Sequence, residues 1–286
     1  MAQSHATATT TTVETPQVRN ITTSDVLEAL RHGFEDFWEH PSHYAFAGVI
    51  YPIVMVVAAV WVSGQNILPL LYPLATGFAL LGPFVALIFY EVSRRQELRM
   101  DASWRHGFEA LRSPNLSQMA TVGIVLCALF VTWLITAQVL FTGLFGSEPP
   151  TSLSGLFYEI LTTGQGWTLI IFGNLIGFLF ATLVLFISVV TFPLMLDRHV
   201  TARQAIETSL KASLTNTIPV LLWGLIVAVL LAVGMATLFV GLIIVMPVLG
   251  HATWHLYRKM IVPQAGRVAR ARAPRAARAP SGVRPA

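Results

Sequence analysis

Two histidines stand four residues apart in the stretch MPVLGHATWHLYRKM, residues 246–260. On a helix, His251 and His255 share one face, and paired imidazoles at that spacing serve metal and haem sites. A haem held across the membrane needs imidazoles from two helices at matching depth, and only His43 among the other histidines could approach His251. A bound metal ion needs a further ligand, and this segment offers none. Trp254, Tyr257, Arg258 and Lys259 follow directly. Such residues mark a membrane boundary, with amphipathic rings at headgroup level and long cations reaching past them. The expectation is therefore that His251 and His255 are belt residues with ordinary hydrogen bonds. No metal and no cofactor is expected.

The other polar candidates lie inside apolar runs. Asn174 sits in FGNLIGFLF with Gly173 and Gly177, a small-xxx-small spacing that lets two helices come close. Gln138 is its counterpart in the preceding run. Both are read as interhelical hydrogen-bonding groups, with the lining of a solute path as the rival role. No Asp, Glu, Lys or Arg takes a deep position, and proton relays, voltage sensors and most ion-coupled sites require one. His-Glu-x-x-His, Gly-x-Ser-x-Gly, glycine-rich phosphate loops and close acid pairs are all missing from the sequence. No catalytic residue is assigned, and an enzyme is not expected. Glu91 and Asp197 each precede arginine at a helix end, where ion pairing is their expected role.

The elements that carry these residues follow from composition. Charged residues make up 11% of the chain and hydrophobic ones 55%, against about a quarter charged in soluble domains. Residues 44–90, 116–147, 160–196 and 212–257 contain no Asp, Glu, Lys or Arg. A spanning helix needs about 20 apolar residues, so the first and last runs are each long enough for two. SGQN at 63–66 supplies one hairpin turn and VGMAT at 233–237 the other. The expected fold is all-α, a polytopic membrane bundle of six transmembrane helices near 44–63, 67–92, 117–143, 166–196, 217–235 and 238–258, with short amphipathic cytoplasmic helices.

Charge then orients the bundle. In this topology all 18 Lys and Arg fall on one side, and the opposite loops hold only Glu148 and Glu159. Basic loops stay in the cytoplasm, so both termini are expected there. The N-terminal MAQSHATATTTTVETPQ lacks a basic region followed by an apolar core and is not read as a signal peptide. Cys127 is the only cysteine, which excludes a disulfide or a cysteine-based metal site within one chain.

Four regions result: a disordered cytoplasmic segment at 1–20, an amphipathic cytoplasmic helix at 21–41, the six-helix domain at 42–262 and a disordered tail at 263–286. In the second region Ser24 is the expected N-cap and Pro41 the stop. Val26, Leu30, Phe34 and Phe37 recur at helical spacing, while Asp25, Glu28, Glu35, Asp36 and Glu39 fill the other face. An acidic face is unlike that of a lipid-binding helix. It calls for a basic surface of this protein or of a partner, or else for plain solvation. The tail carries six arginines among Ala and Pro and no aromatic residue. It suits anionic lipid headgroups and, lacking rings on which bases stack, is not expected to bind nucleic acid.

Two further short helices, at 101–115 and 201–216, lie on the Arg-rich side. Each follows a span with an inner proline, Pro83 or Pro193, and ends at an asparagine. Spans two and four thus look like a faint parallel repeat about the membrane normal.

The segments ITTSDVLEALRHGFEDFWEHPSHYAFAGVIYP, LIFYEVSRRQE, PLMLDRHVTARQAIETSLKA and MPVLGHATWHLYRKM together give the chain its resemblance to a family. It resembles a bacterial family of uncharacterised predicted integral membrane proteins, domain of unknown function 2189. The resemblance implies a six-span protein of the bacterial inner membrane and brings no established substrate or catalytic residue. The expected role is a non-enzymatic structural or accessory component of a membrane assembly, with a membrane-protein partner or a second copy. The alternative is a transporter or channel for a small neutral or amphipathic solute.

Overall fold

The computed structural model describes residues 16–39, 82, 86–146, 152–237 and 240–263. The span expected at 44–63, most of that at 67–92, residues 1–15 and the tail beyond 263 lie outside them. Described residues form ten α-helices: α1 (Thr23–Glu39), α2 (Leu87–Glu97), α3 (Trp104–Gly107), α4 (Leu116–Phe145), α5 (Leu153–Thr162), α6 (Gly164–Ser188), α7 (Thr191–Asp197), α8 (Ala202–Thr215), α9 (Thr217–Ala236) and α10 (Leu242–Met260). The expected helix at 101–115 is split into α3 and a 3-10 turn, Phe108–Arg112.

Three stretches among the described residues are long and apolar enough to cross a membrane: α4, α6 continued by α7, and α9. They correspond to the spans expected at 117–143, 166–196 and 217–235. α4 and α6 pack through the expected small residues, with the Trp133 ring 3.1 Å from where a Cβ on Gly177 would stand. The turn expected at 233–237 begins at Thr237, whose hydroxyl accepts from the Gly241 amide at 2.9 Å.

The span expected at 238–258 differs. α10 is not one of the three, because only its first turns are purely apolar and His251, Trp254, His255, Arg258 and Lys259 occupy the rest. That second half is buried by other helices, which can satisfy polar groups that lipid cannot.

Span four is broken between Ser188 and Thr191. Pro193 has no N–H to give the preceding turn, which loosens the helix there. α8 satisfies the groups set free. The Ser209 hydroxyl donates to the Phe186 carbonyl at 2.7 Å and accepts from the Val190 amide at 3.2 Å. Thr191 Oγ1 donates back to the Ile187 carbonyl. α8 itself starts with a reciprocal capping box between Thr201 and Gln204.

Thr22, not Ser24, caps α1. Its backbone N–H donates to the Asp25 carboxylate at 2.9 Å, and Thr22 Oγ1 accepts from the Asp25 amide at 3.4 Å. Residues expected to be disordered up to 20 are ordered from Gln17. Val18 pairs antiparallel with Ile261, with Arg19 N–H to the Met260 carbonyl at 2.8 Å and Val262 N–H to the Gln17 carbonyl at 3.0 Å. Asn216 closes this clasp by accepting from the Ile21 amide and donating to the Arg19 carbonyl.

The core sits at the end where α2, α7, α8 and α10 meet. Phe89, Phe192, Met195, Trp254 and Tyr257 are all fully buried there, while the faces of α4, α6 and α9 stay largely exposed. Burial of the two rings of α10 corrects the belt expectation for Trp254 and Tyr257. Exposed aromatics stand instead at the opposite end, at Phe157, Tyr158 and Trp167 on α5 and the start of α6.

Candidate functional site

α10 presents His251, His255 and Lys259 at successive fourth positions, so they form one ridge. α1 presents Asp25, Glu28, His32 and Asp36 on one face and runs antiparallel beside it. The two ridges meet as a ladder. Lys259 Nζ donates to Asp25 at 3.1 Å and to Glu28 at 2.8 Å. The rings of His32 and His255 lie 5.3 Å apart. His255 Nε2 bonds Asp36 Oδ2 at 2.9 Å. The acidic face of α1 thus finds its basic match within the chain.

α2 approaches α10 from another side. The Ser93 hydroxyl donates to Asp36 Oδ2 at 2.8 Å and stands 2.6 Å from His251 Nδ1. A hydroxyl has one hydrogen, and this one goes to the carboxylate. His251 is therefore the donor to Ser93 and carries its hydrogen on Nδ1, an assignment from the bond pattern. Further along, Glu97 accepts from Trp254 Nε1 at 3.3 Å and from Arg258 at 2.5 Å. α7 contributes Asp197, which accepts from the Tyr257 hydroxyl at 2.8 Å and faces Arg258 at 3.6 Å. Carboxylates from three elements grip the end of α10.

Electrostatics follow from these contacts. Burial pushes the Asp36 carboxyl up, but the bond and charge of His255, the charge of His251 and the Ser93 hydroxyl outweigh it, so the net shift is downward. Asp25 is held at about 2, first by the Thr22 backbone N–H, then by its hydroxyl and by Lys259. Partial burial lowers Lys259, yet bonds to Glu28 and Asp25 carry it above its ordinary range.

Ser93, His251 and Asp36 are the residue types of a hydrolytic triad, but their order is wrong for one. A triad places the imidazole between hydroxyl and carboxylate; here the hydroxyl lies between imidazole and carboxylate. Ser93 is 2% exposed and His251 0%, so no substrate carbonyl reaches the oxygen. The constellation locks helices together. Among the described residues no three His, Cys, Asp or Glu side chains are grouped to hold a metal ion. His43, the one imidazole expected to approach His251, lies outside them.

A second ionic cluster surrounds Glu91. Both its oxygens are engaged by Arg94, at 2.7 and 2.6 Å, and Oε1 also by Arg95 at 2.8 Å. Arg95 continues to Glu109, whose other oxygen bonds His106 at 2.5 Å. The expected ion-pairing roles of Glu91 and Asp197 are what the structure shows.

The structure does not bring Asn174 and Gln138 together over a channel. Both are exposed, on α6 and α4. Asn174 turns its amide back to the Ile170 carbonyl at 2.7 Å, while Trp133, Phe180 and Leu140 fill the seam between the helices. Sequence reasoning named the histidines but missed their partners. Asp36, Ser93 and Glu97 are remote in sequence, and the only available signal was the acidic periodicity of α1.

No curated protein and no solved structure matches the chain. The matching family model takes in α2 to α7 but neither α1 nor α10, so two of the four resembling segments, at 21–52 and 246–260, fall outside it. Residues 71–197 match the family described as predicted integral membrane protein (DUF2189), the family the sequence resembles, and with three helices of spanning length the chain is an integral membrane protein.

Proposed function

We propose that this protein is a non-enzymatic structural or accessory component of an assembly in the bacterial inner membrane, with its ionic end and both termini in the cytoplasm. The observation that carries the reading is Gln138. It stands exposed in the Phe145 half of an apolar span, and its amide makes no bond among the described residues. A side-chain amide facing lipid is costly, and a neighbouring polar helix relieves that cost. Asn174 lies on the adjoining exposed surface of α6. Support for the absence of catalysis comes from the ionic end, where the carboxylates of Asp36, Glu91, Glu97 and Asp197 are engaged in holding helices. The orientation rests on the placement of Lys and Arg. Packing in the α4–α6 seam weighs against a solute path beside these amides.

A photo-crosslinking residue at position 138 or 174, in cells at native expression, tests the proposal. Adducts to another membrane protein or to a second copy are expected, and a complex should survive mild detergent. Adducts confined to the same chain, with only monomer recovered, would overturn it.

A further inference from the structure

We infer that the cleft between α2, the 3-10 turn and the α7–α8 junction binds a phosphate-bearing anion at the membrane boundary. The cleft holds about 480 Å³. Its walls bring together Arg94, Arg95, Arg112 and Arg198, with His199 beside them, from three separate stretches of chain.

Position is the first argument. Asn115 on the cleft wall immediately precedes the span α4, and Asp197 on the same wall ends the span α6–α7. Asn115 ties the two span ends together through bonds to the Met195 and Arg198 carbonyls at 2.6 and 2.7 Å. The cleft therefore opens at the level where two spans leave the bilayer, which is the depth of headgroup phosphates.

Charge is the second. The cleft contains three carboxylates, Glu91, Glu109 and Asp197, against four guanidinium groups. The carboxylates are already committed. Glu91 is 2% exposed and takes three bonds from Arg94 and Arg95. Glu109 is taken by Arg95 and His106, and Asp197 by Tyr257, Arg198 and Arg258. These pairs fix Arg94, Arg95 and Arg198 as a rigid wall. Arg112 and His199 are exposed and carry no hydrogen bond or ion pair among the described residues. The excess charge is thus accessible and set against a preorganised wall, the arrangement that favours planar, two-point recognition of phosphate by arginine.

The inference goes beyond the assembly reading and does not depend on it. It also differs from contact between lipid and the arginine-rich tail, which lies outside the described residues.

The test uses the full chain in mild detergent, followed by native mass spectrometry with added phosphatidylglycerol or phosphatidylcholine. Preferential retention of phosphatidylglycerol is expected. The double variant Arg112→Gln/His199→Gln should reduce it roughly tenfold, the loss of one charge-assisted contact. Neither side chain holds the fold, so helicity and elution volume should not change. Replacing the six tail arginines with Gln should leave retention in place. Millimolar inorganic phosphate then separates the two sources: displacement of the lipid identifies a soluble phosphate compound as the ligand, and continued retention identifies a lipid headgroup. Equal retention of both lipids, insensitivity to the double variant, or loss through the tail substitutions alone would overturn the assignment.

Discussion

Gly33 of α1 and Ala252 of α10 meet backbone to backbone. A Cβ on Gly33 would lie 2.6 Å from Ala252 Cβ and 2.7 Å from both the Ala252 nitrogen and the Val248 carbonyl oxygen. On another side of α10, a Cβ on Gly250 would lie 2.6 Å from Phe89 Cβ of α2. α10 is thus held between two helices at distances only glycine allows, and those distances set the reach of the ladder. Gly33→Val should force α1 away, with about 1–3 kcal/mol of overpacking added to the loss of the Asp36–His255 bond. Thermal unfolding in detergent reads this as a clear drop in Tm. Gly143→Ala, where nothing lies within 4 Å, should leave Tm unchanged or slightly raised. Equal effects at both positions would refute the close-contact account.

The break in span four makes a second prediction. Ser209 is 0% exposed and serves both the Phe186 carbonyl and the Val190 amide. Ser209→Ala keeps the volume but leaves the buried Val190 amide unbonded and the Phe186 carbonyl with only the long bond from Ser213 at 3.5 Å, which costs about 1–3 kcal/mol. Hydrogen exchange should rise at Val190 and Thr191 before it rises elsewhere in α6. Unaltered protection there would show that Pro193 needs no help from α8.

Much of this was legible in the sequence. Spans three to five were readable to within a few residues, because long runs without charge leave little choice of boundary. The capping box of Thr201 with Gln204 is a local signal that starts α8 in the same way. The fate of α10 was not legible. Its residues Trp254, Tyr257, Arg258 and Lys259 suit a membrane boundary equally well whether they face lipid or protein. Packing of α1, α2 and α7 decides between these, and all three lie more than 50 positions away in the chain. The capping error at Ser24 has a similar cause on a smaller scale. Thr22 and Ser24 are both hydroxyl residues, and the reciprocal bond with Asp25 selects Thr22.

Acidity should act on the α1–α10 seam in a known direction. The folded pKa of Asp36 lies below its ordinary 3.8, so the carboxylate contributes stability above that value and loses it as pH falls through the lowered one. Lys259 has the opposite sign. Raised above its ordinary 10.5, it contributes fully below that value and ceases to as pH rises through the raised one. Docking of α1 should weaken as pH falls below about 4 and as it rises above about 10.5. Exchange of α1 amides, corrected for intrinsic rates, measures it. Asp36→Asn should shrink the acid limb, Asp25 and Glu28 supplying the rest of it, and Lys259→Met should remove the alkaline one. An acid limb untouched by Asp36→Asn, or an alkaline limb untouched by Lys259→Met, would contradict this.

Topology can be broken with one reporter. Fusions after Gly146 should read periplasmic, while those after Arg99, Arg203 and Val262 should read cytoplasmic. A cytoplasmic signal at Gly146 would place the two ends of α4 on the same side, which a 30-residue apolar helix spanning the membrane does not permit.

The histidines yield the last prediction, and burial changes what it must say. As belt residues, His251 and His255 would tolerate replacement by Gln almost equally. In the structure they differ. The His255 side chain is 28% exposed and bonds Asp36 through one nitrogen; a Gln amide can donate to the same oxygen, so His255→Gln should be mild. His251 is fully enclosed, gives its Nδ1 hydrogen to Ser93 and has its ring 5.7 Å from that of Phe89. His251→Ala therefore leaves a cavity and removes the donor that fixes Ser93 beside Asp36, with an expected loss of about 3–5 kcal/mol. If the pair held a metal instead, either substitution alone would release the ion and the free energy its binding adds to the fold. The effects would then be similar, and the wild-type protein would carry one equivalent of metal or a Soret band. Elemental analysis of the purified protein, beside the two melting curves, separates these cases. We expect no stoichiometric metal and a large asymmetry, because Asp36 holds His255 directly and His251 through Ser93, with no ion between them.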